Sequence, residues 1–205
     1  MKLKMGMLFA LVVTIFLAGC ISNPINARTG ANYYELGMEA ERSGDFTLAR
    51  QNYSRAYSNA QMGNLGPTPE AYAMYEWSRV TGYLGMYAEA EKGFNDVIEL
   101  IDKSDGKAAN LRPPALTELA RLLHDTNQHK KAVPIYKRAI AELDARDILK
   151  ADPIGFTIVL DDYSQSLRAI GNVSLADEEA AKSLSIKEAN KGIQAKFIGK
   201  RYKNP

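Results

Sequence analysis

The chain has 205 residues, with 26 Lys and Arg against 24 Asp and Glu, two histidines and one cysteine. That length suffices for a single domain with a sizeable core. A lone cysteine excludes an internal disulfide framework, and the near balance of charge gives no sign of a nucleic-acid binder.

In chain order, residues 1–7 are short and carry Lys2 and Lys4, Leu8 to Leu17 is almost purely apolar, and the stretch closes on Leu17-Ala18-Gly19-Cys20. A charged start, a short apolar run and a small-residue cut site describe an export signal. The apolar run falls short of the roughly 20 residues a membrane-spanning helix needs. Leu17-Ala18-Gly19-Cys20 resembles the lipobox of bacterial lipoprotein precursors. The resemblance implies cleavage between Gly19 and Cys20, diacylglycerol on the Cys20 thiol and an N-acyl group on the new amine. No other cofactor is expected. Each buried methylene of such an anchor adds about 0.8 kcal/mol. Ile21, where enteric-type retention uses Asp, implies the periplasmic face of the outer membrane. Export also argues against a nucleic-acid partner.

Cleavage leaves 186 residues with 24 basic and 24 acidic side chains. From Lys182 onward there are seven basic residues against Glu188 alone, a local +6, so the rest carries −6. Residues 20–30, the lipidated Cys and an aperiodic run rich in turn formers, are expected to be a tether.

Residues 31–191 repeat. Gly44, Phe46, Ala49, Tyr53 and Ala56 recur at the same offsets as Gly85, Tyr87, Ala90, Phe94 and Val97, then as Asn127, His129, Ala132, Tyr136 and Ala139, and more weakly as Gly171, Val173, Ala176, Ala180 and Ser183. A large-small pair precedes each turn by eight residues: Leu36-Gly37, Trp77-Ser78, Leu119-Ala120 and Tyr163-Ser164. Gly and Asn suit a left-handed residue just past a helix end. The small-large-small spacing after it lies along one helical stripe. The spacing predicts helices over 31–43, 46–61, 69–84, 87–103, 114–126, 129–147, 154–170 and 173–191. Thr68-Pro69-Glu70 and Asp152-Pro153 read as helix starts. The expected fold is all-α, a solenoid of about four antiparallel helix pairs.

This pattern resembles the tetratricopeptide repeat, most closely in the first two copies. The third has His129 and the fourth Ala180 where a ring is usual, so the fourth reads as a cap. Anchor alanines 41, 42 and 44 residues apart, against a usual period of about 34, resemble the kinesin-light-chain subtype.

No nucleophile elbow, phosphate loop or metal-ligand spacing is present, so no enzyme and no metal site is expected. Asp161 and Asp162 are adjacent on one helix and do not share a face. The family resemblance implies contact positions on the first helix of each pair: Tyr34, Met38 and Glu41; Tyr75, Arg79 and Gly82; Thr117, Arg121 and His124; Asp161, Gln165 and Arg168. Tyr72 lies one turn before Tyr75. Tyrosines beside arginines suit an extended or acidic peptide, unless the arginines pair with neighbouring acids. The basic tail, 192–205, reads as a solvated terminus or as a contact for peptidoglycan or another anionic surface. The expectation is therefore a non-catalytic, lipid-anchored scaffold that binds an envelope protein through its groove. The alternative is a cell-wall or polysaccharide-associated accessory protein acting through the tail.

Overall fold

A computed structural model describes residues 23–196 and 199–203. The export signal, Gly19 and Cys20 lie outside the described residues. Nine α-helices occur among the described residues: α1 Pro24–Arg42, α2 Phe46–Met62, α3 Pro67–Tyr83, α4 Tyr87–Asp102, α5 Arg112–Asp125, α6 His129–Asp144, a single-turn α7 Ile148–Ala151, α8 Pro153–Ala169 and α9 Val173–Ala189. Helices α1 and α2, α3 and α4, α5 and α6, and α8 and α9 pack as hairpins. Each hairpin also meets the next, through α2 and α3, α4 and α5, and α6 and α8. The all-α solenoid of four antiparallel pairs is the observed architecture.

The four intra-pair turns are copies of one another for a local reason. Gly44, Gly85, Asn127 and Gly171 have φ of +83°, +80°, +60° and +85°. In each, the N–H of the following residue donates to a carbonyl five positions back: Asp45 to Ala40, Met86 to Thr81, Gln128 to Leu123 and Asn172 to Leu167. This is the hydrogen bonding that ends a helix on a left-handed residue.

The periodic positions form the core. Ala49, Ala90, Ala132 and Ala176 are fully buried, as are Tyr53 and Phe94, with Tyr136 1% exposed. Close approach explains the small partners. A Cβ on Gly37 would stand 2.6 Å from the Tyr53 ring. Helix α9 buries only Ala176 and Ser183, in keeping with an end unit whose outer face meets water.

Several boundaries differ from expectation by two residues or more, among them the starts of α1 and α3 and the end of α6 at Asp144. Residues 24–30, expected as tether, are the first turns of α1. The Asn23 side chain accepts from the N–H groups of Ile25 and Asn26, and Pro24 opens the helix. Gly30 then lets α1 lie against α2, where its Cβ would sit 3.2 Å from that of Asn59. Helix α3 starts at Pro67 on Gly66 rather than on a Thr68 cap. The Asp152-Pro153 start is as read, with Asp152 Oδ1 accepting from Gly155 N–H at 2.9 Å.

Candidate functional site

The first helices α1, α3, α5 and α8 line the inner face of such a solenoid, and two regions of it are distinct. Toward α1, Tyr34, Met38 and Tyr72 border an open cavity of about 370 Å³. Tyr72 is 36% exposed. Tyr34 packs edge-on against Tyr53, with ring centroids 5.6 Å apart, and donates to Glu76 at 3.3 Å.

Between α3 and α8 the face is acidic. In every copy a carboxylate immediately precedes the large-small pair: Glu35, Glu76, Glu118 and Asp162. Sequence reasoning passed over this ladder, although the repeat alignment contains it. In two copies the acid pairs with an arginine three residues on. Arg79 bonds Glu76 and both oxygens of Glu41, at 2.7 Å each, and Arg121 bonds Glu118 at 2.8 Å. These arginines are neutralised within the molecule. Their side chains are 14% and 6% exposed. Burial raises the Glu76 carboxyl above its usual range against the opposing pull of Arg79.

The fourth copy has Gln165 where the second and third copies have arginine, and its acid finds a cation elsewhere. Arg201 Nη1 bonds Asp162 at 2.6 Å, and Nη2 bonds Asp125. Tyr202 follows it into the face and is 4% exposed. Its N–H donates to Asp125 at 2.8 Å and its hydroxyl to Glu118 at 2.5 Å, and its carbonyl accepts from Tyr87 at 3.0 Å. Its ring stacks on Tyr83 with centroids 5.1 Å apart. Burial, and next the Glu118 carboxylate, push the Tyr202 phenol far above its ordinary range, so it stays a donor. Lys200 Nζ lies 4.1 Å from the centre of the Phe46 ring. Gly199 covers the Arg121 guanidinium, for a Cβ there would lie 1.8 Å from Nη1. The tail expected to be solvated thus has residues 199–203 seated on the inner face.

The other expected contact residues divide. Tyr75 is buried against Phe94, with centroids 6.1 Å apart. Thr117 is half-buried between α5 and α8. Asp161 faces α9, bonding Ser183 and Lys187 at 2.6 Å each, and so lies off the face that its neighbour Asp162 joins. Arg168 is exposed and pairs with Asp177 at 2.7 Å. Gln165 and His124 border a shallow polar pocket with Asp125, His129 and Arg201.

His124 Nδ1 lies 2.9 Å from Ser166 Oγ, and its Nε2 is 3.8 Å from Asp162. The order resembles a nucleophile, base and acid, but Ser166 is 0% exposed and its hydroxyl cannot meet a substrate. Burial lowers the His124 pKa below 6.5. Asp162 and Asp125 oppose the shift, while Arg201 and His129 reinforce it. The unfolded chain then binds more protons just below pH 6.5, so stability rises with pH through that window. The contribution is complete above about 6.5 and is lost as pH falls toward the folded pKa. Urea midpoints should fall between pH 7.5 and 5.5 by more in the native chain than in His124→Asn. Glu76 and Glu179, whose pKa values burial raises, run in the opposite sense and are common to both proteins. Equal falls would remove the assignment.

Residues 113–142, spanning α5 and most of α6, match the family described as Tetratricopeptide repeat. The matched copy is the third and not the first two, which follow the residue pattern most closely. No curated protein matches the chain. Among solved structures, BtubC (BKLC) from P. vanneervenii superposes with a TM-score of 0.70 at 17% identity, covering 82% of this chain and 67% of that one. Aspartyl phosphate phosphatase F from Bacillus subtilis gives 0.67 at 15%, over 80% of this chain and 41% of that one. A Podosopora anserina protein of nearly identical TPR-like repeats, described as a kinesin light chain, gives 0.60 at 16%, over 80% and 77%. These likenesses establish the fold, a tetratricopeptide-type helical solenoid.

Proposed function

We propose that the chain is a lipid-anchored, non-catalytic scaffold of a bacterial envelope, holding a protein partner against the inner face of its repeats. The observation that carries the binding part is the open cavity under Tyr34, Met38 and Tyr72, apolar and aromatic, at the α1 end of the face. Tyrosines give stiff contact area with a polar tip, which suits protein recognition. The Leu17-Ala18-Gly19-Cys20 sequence supports the anchor, and Ile21 supports the periplasmic face of the outer membrane as its site. Assembly of an envelope complex, whether pilus, secretion or cell-wall machinery, is the setting this topology favours.

Each half has its test. Cys20→Ser should release the protein from the membrane fraction and abolish incorporation of labelled palmitate; a membrane-bound, unlabelled wild type defeats the anchor. A photo-crosslinking residue at position 72 should capture a discrete envelope protein, and Tyr34→Glu should abolish that adduct. An adduct indifferent to Tyr34→Glu removes the partner from this face.

A further inference from the structure

The contacts of residues 199–203 are those of a peptide in a receptor. The main chain of Tyr202 is clamped at both ends, its N–H by Asp125 and its carbonyl by Tyr87, while its hydroxyl reaches Glu118 and its ring lies on Tyr83. None of these contacts depends on the segment being joined to α9. The slot is also fitted to this chemistry. The helices bring three carboxylates to the segment, Glu118, Asp125 and Asp162, against the one guanidinium of Arg121. Unoccupied, the slot would therefore carry two uncompensated negative charges, and Lys200 and Arg201 arrive from the most basic stretch of the chain. Gly82 makes the ring site: a Cβ there would meet the Tyr202 ring at 2.4 Å. The chain leading to the segment is loosely held, with residues 191–194 exposed and Ile193 53% exposed.

We infer that this acidic, aromatic-walled slot is a recognition site for an extended protein segment of the form basic–Arg–Tyr, and that residues 199–203 occupy it in cis until a partner segment of the same chemistry displaces them. The inference rests on the scaffold reading and deepens it: it names the partner's chemistry as basic and aromatic, where the arginines alone had suggested an acidic peptide. The occupant is a protein segment because the slot satisfies a peptide N–H and a peptide C=O as well as side chains. A ligand tethered a few residues away is present at an effective concentration in the millimolar range, so the native chain should bind a free peptide only weakly.

The probe is a fluorescein-labelled peptide of residues 196–205, Lys-Phe-Ile-Gly-Lys-Arg-Tyr-Lys-Asn-Pro, titrated by anisotropy against the full chain in detergent. Tyr202→Ala vacates the slot without altering its walls and should bind the peptide at least about tenfold more tightly than the native chain. Adding Gly82→Ala, which fills the ring site while favouring the helix, should abolish that gain, as should replacing the peptide's Arg by Glu. A helical Tyr202→Ala protein that binds no better than the native chain overturns the inference. Should that variant fail to fold, the native walls carry the test: a spin label at position 203 in a Cys20→Ser, Lys203→Cys chain should become mobile with excess peptide. A label unmoved by millimolar peptide overturns the inference, and so does a dimer that exchanges its own segments and takes up no peptide. Neither readout involves the lipid or the envelope, so this proposal can fail while the scaffold reading stands, and the converse holds too.

Discussion

Replacing Glu118 with alanine should destabilise the protein by about 3–5 kcal/mol, the range for removing one partner of a buried ion pair. Glu118 is 1% exposed and holds Arg121 at 2.8 Å and the Tyr202 hydroxyl at 2.5 Å. Its loss leaves a guanidinium without its bonded carboxylate and a phenol without its acceptor. The stranded hydroxyl accounts for roughly 1–3 kcal/mol within that total. Glu118→Gln keeps an acceptor for Arg121 and turns its amide NH2 to the Tyr202 hydroxyl, which can accept, so it should cost less. Urea denaturation followed by helical circular dichroism measures both. The double variant Glu118→Ala, Arg121→Ala should be less destabilised than the sum of its single changes, because the second substitution removes the charge that the first left unpaired. Additive losses would show that the two side chains do not act as a pair.

What could be read from the sequence, and what could not, follows the range of the interactions. The turns at Gly44, Gly85, Asn127 and Gly171 were legible because a left-handed residue is a demand made within five residues of chain. The buried alanines and rings were legible because helical spacing projects them onto one stripe. The start at Asn23-Pro24 follows the same rule as Asp152-Pro153, a side-chain cap before a first-turn proline, and was hidden by turn-forming neighbours. The Glu76–Arg79 and Glu118–Arg121 pairs were legible in principle, since residues three apart on a helix are neighbours, and pairing with neighbouring acids was the alternative the sequence left open for those arginines. The seat of Arg201 and Tyr202 was not legible. Their partners Asp125, Glu118 and Tyr87 lie 76 to 115 residues away, no period connects them, and the segment's own composition is that of a solvated tail. One hint existed: the fourth copy lacks the arginine that accompanies the acid in the second and third. The family's contact offsets also failed at Asp161, whose place beside α9 leaves the inner face to Asp162.

Tyr202→Ala should cost about 3 kcal/mol, near the lower end for emptying a buried aromatic site, and its effect should not stay local. A helical solenoid is stabilised chiefly by contacts between neighbouring repeats, so a change at one end ordinarily loosens the adjacent unit alone. Residues 200–202 break that rule. Lys200 lies over Phe46 of α2, and the Tyr202 ring stacks on Tyr83 of α3. The Tyr202 main chain is held from α4 and α5, and Arg201 reaches α8. One short segment thereby ties all four helix pairs together across their inner face. Hydrogen exchange separates the two expectations. If the tie operates, Tyr202→Ala accelerates amide exchange in α3 as well as in α8 and α9, although α3 and α9 are remote in the stack. Acceleration confined to α8 and α9 would mean that the solenoid holds by neighbour contacts alone and that the segment is merely docked on it. The same measurement bears on function. A ligand that displaces residues 199–203 would exchange this internal tie for its own contacts along the same four pairs, so the scaffold would keep a tie across its inner face while bound.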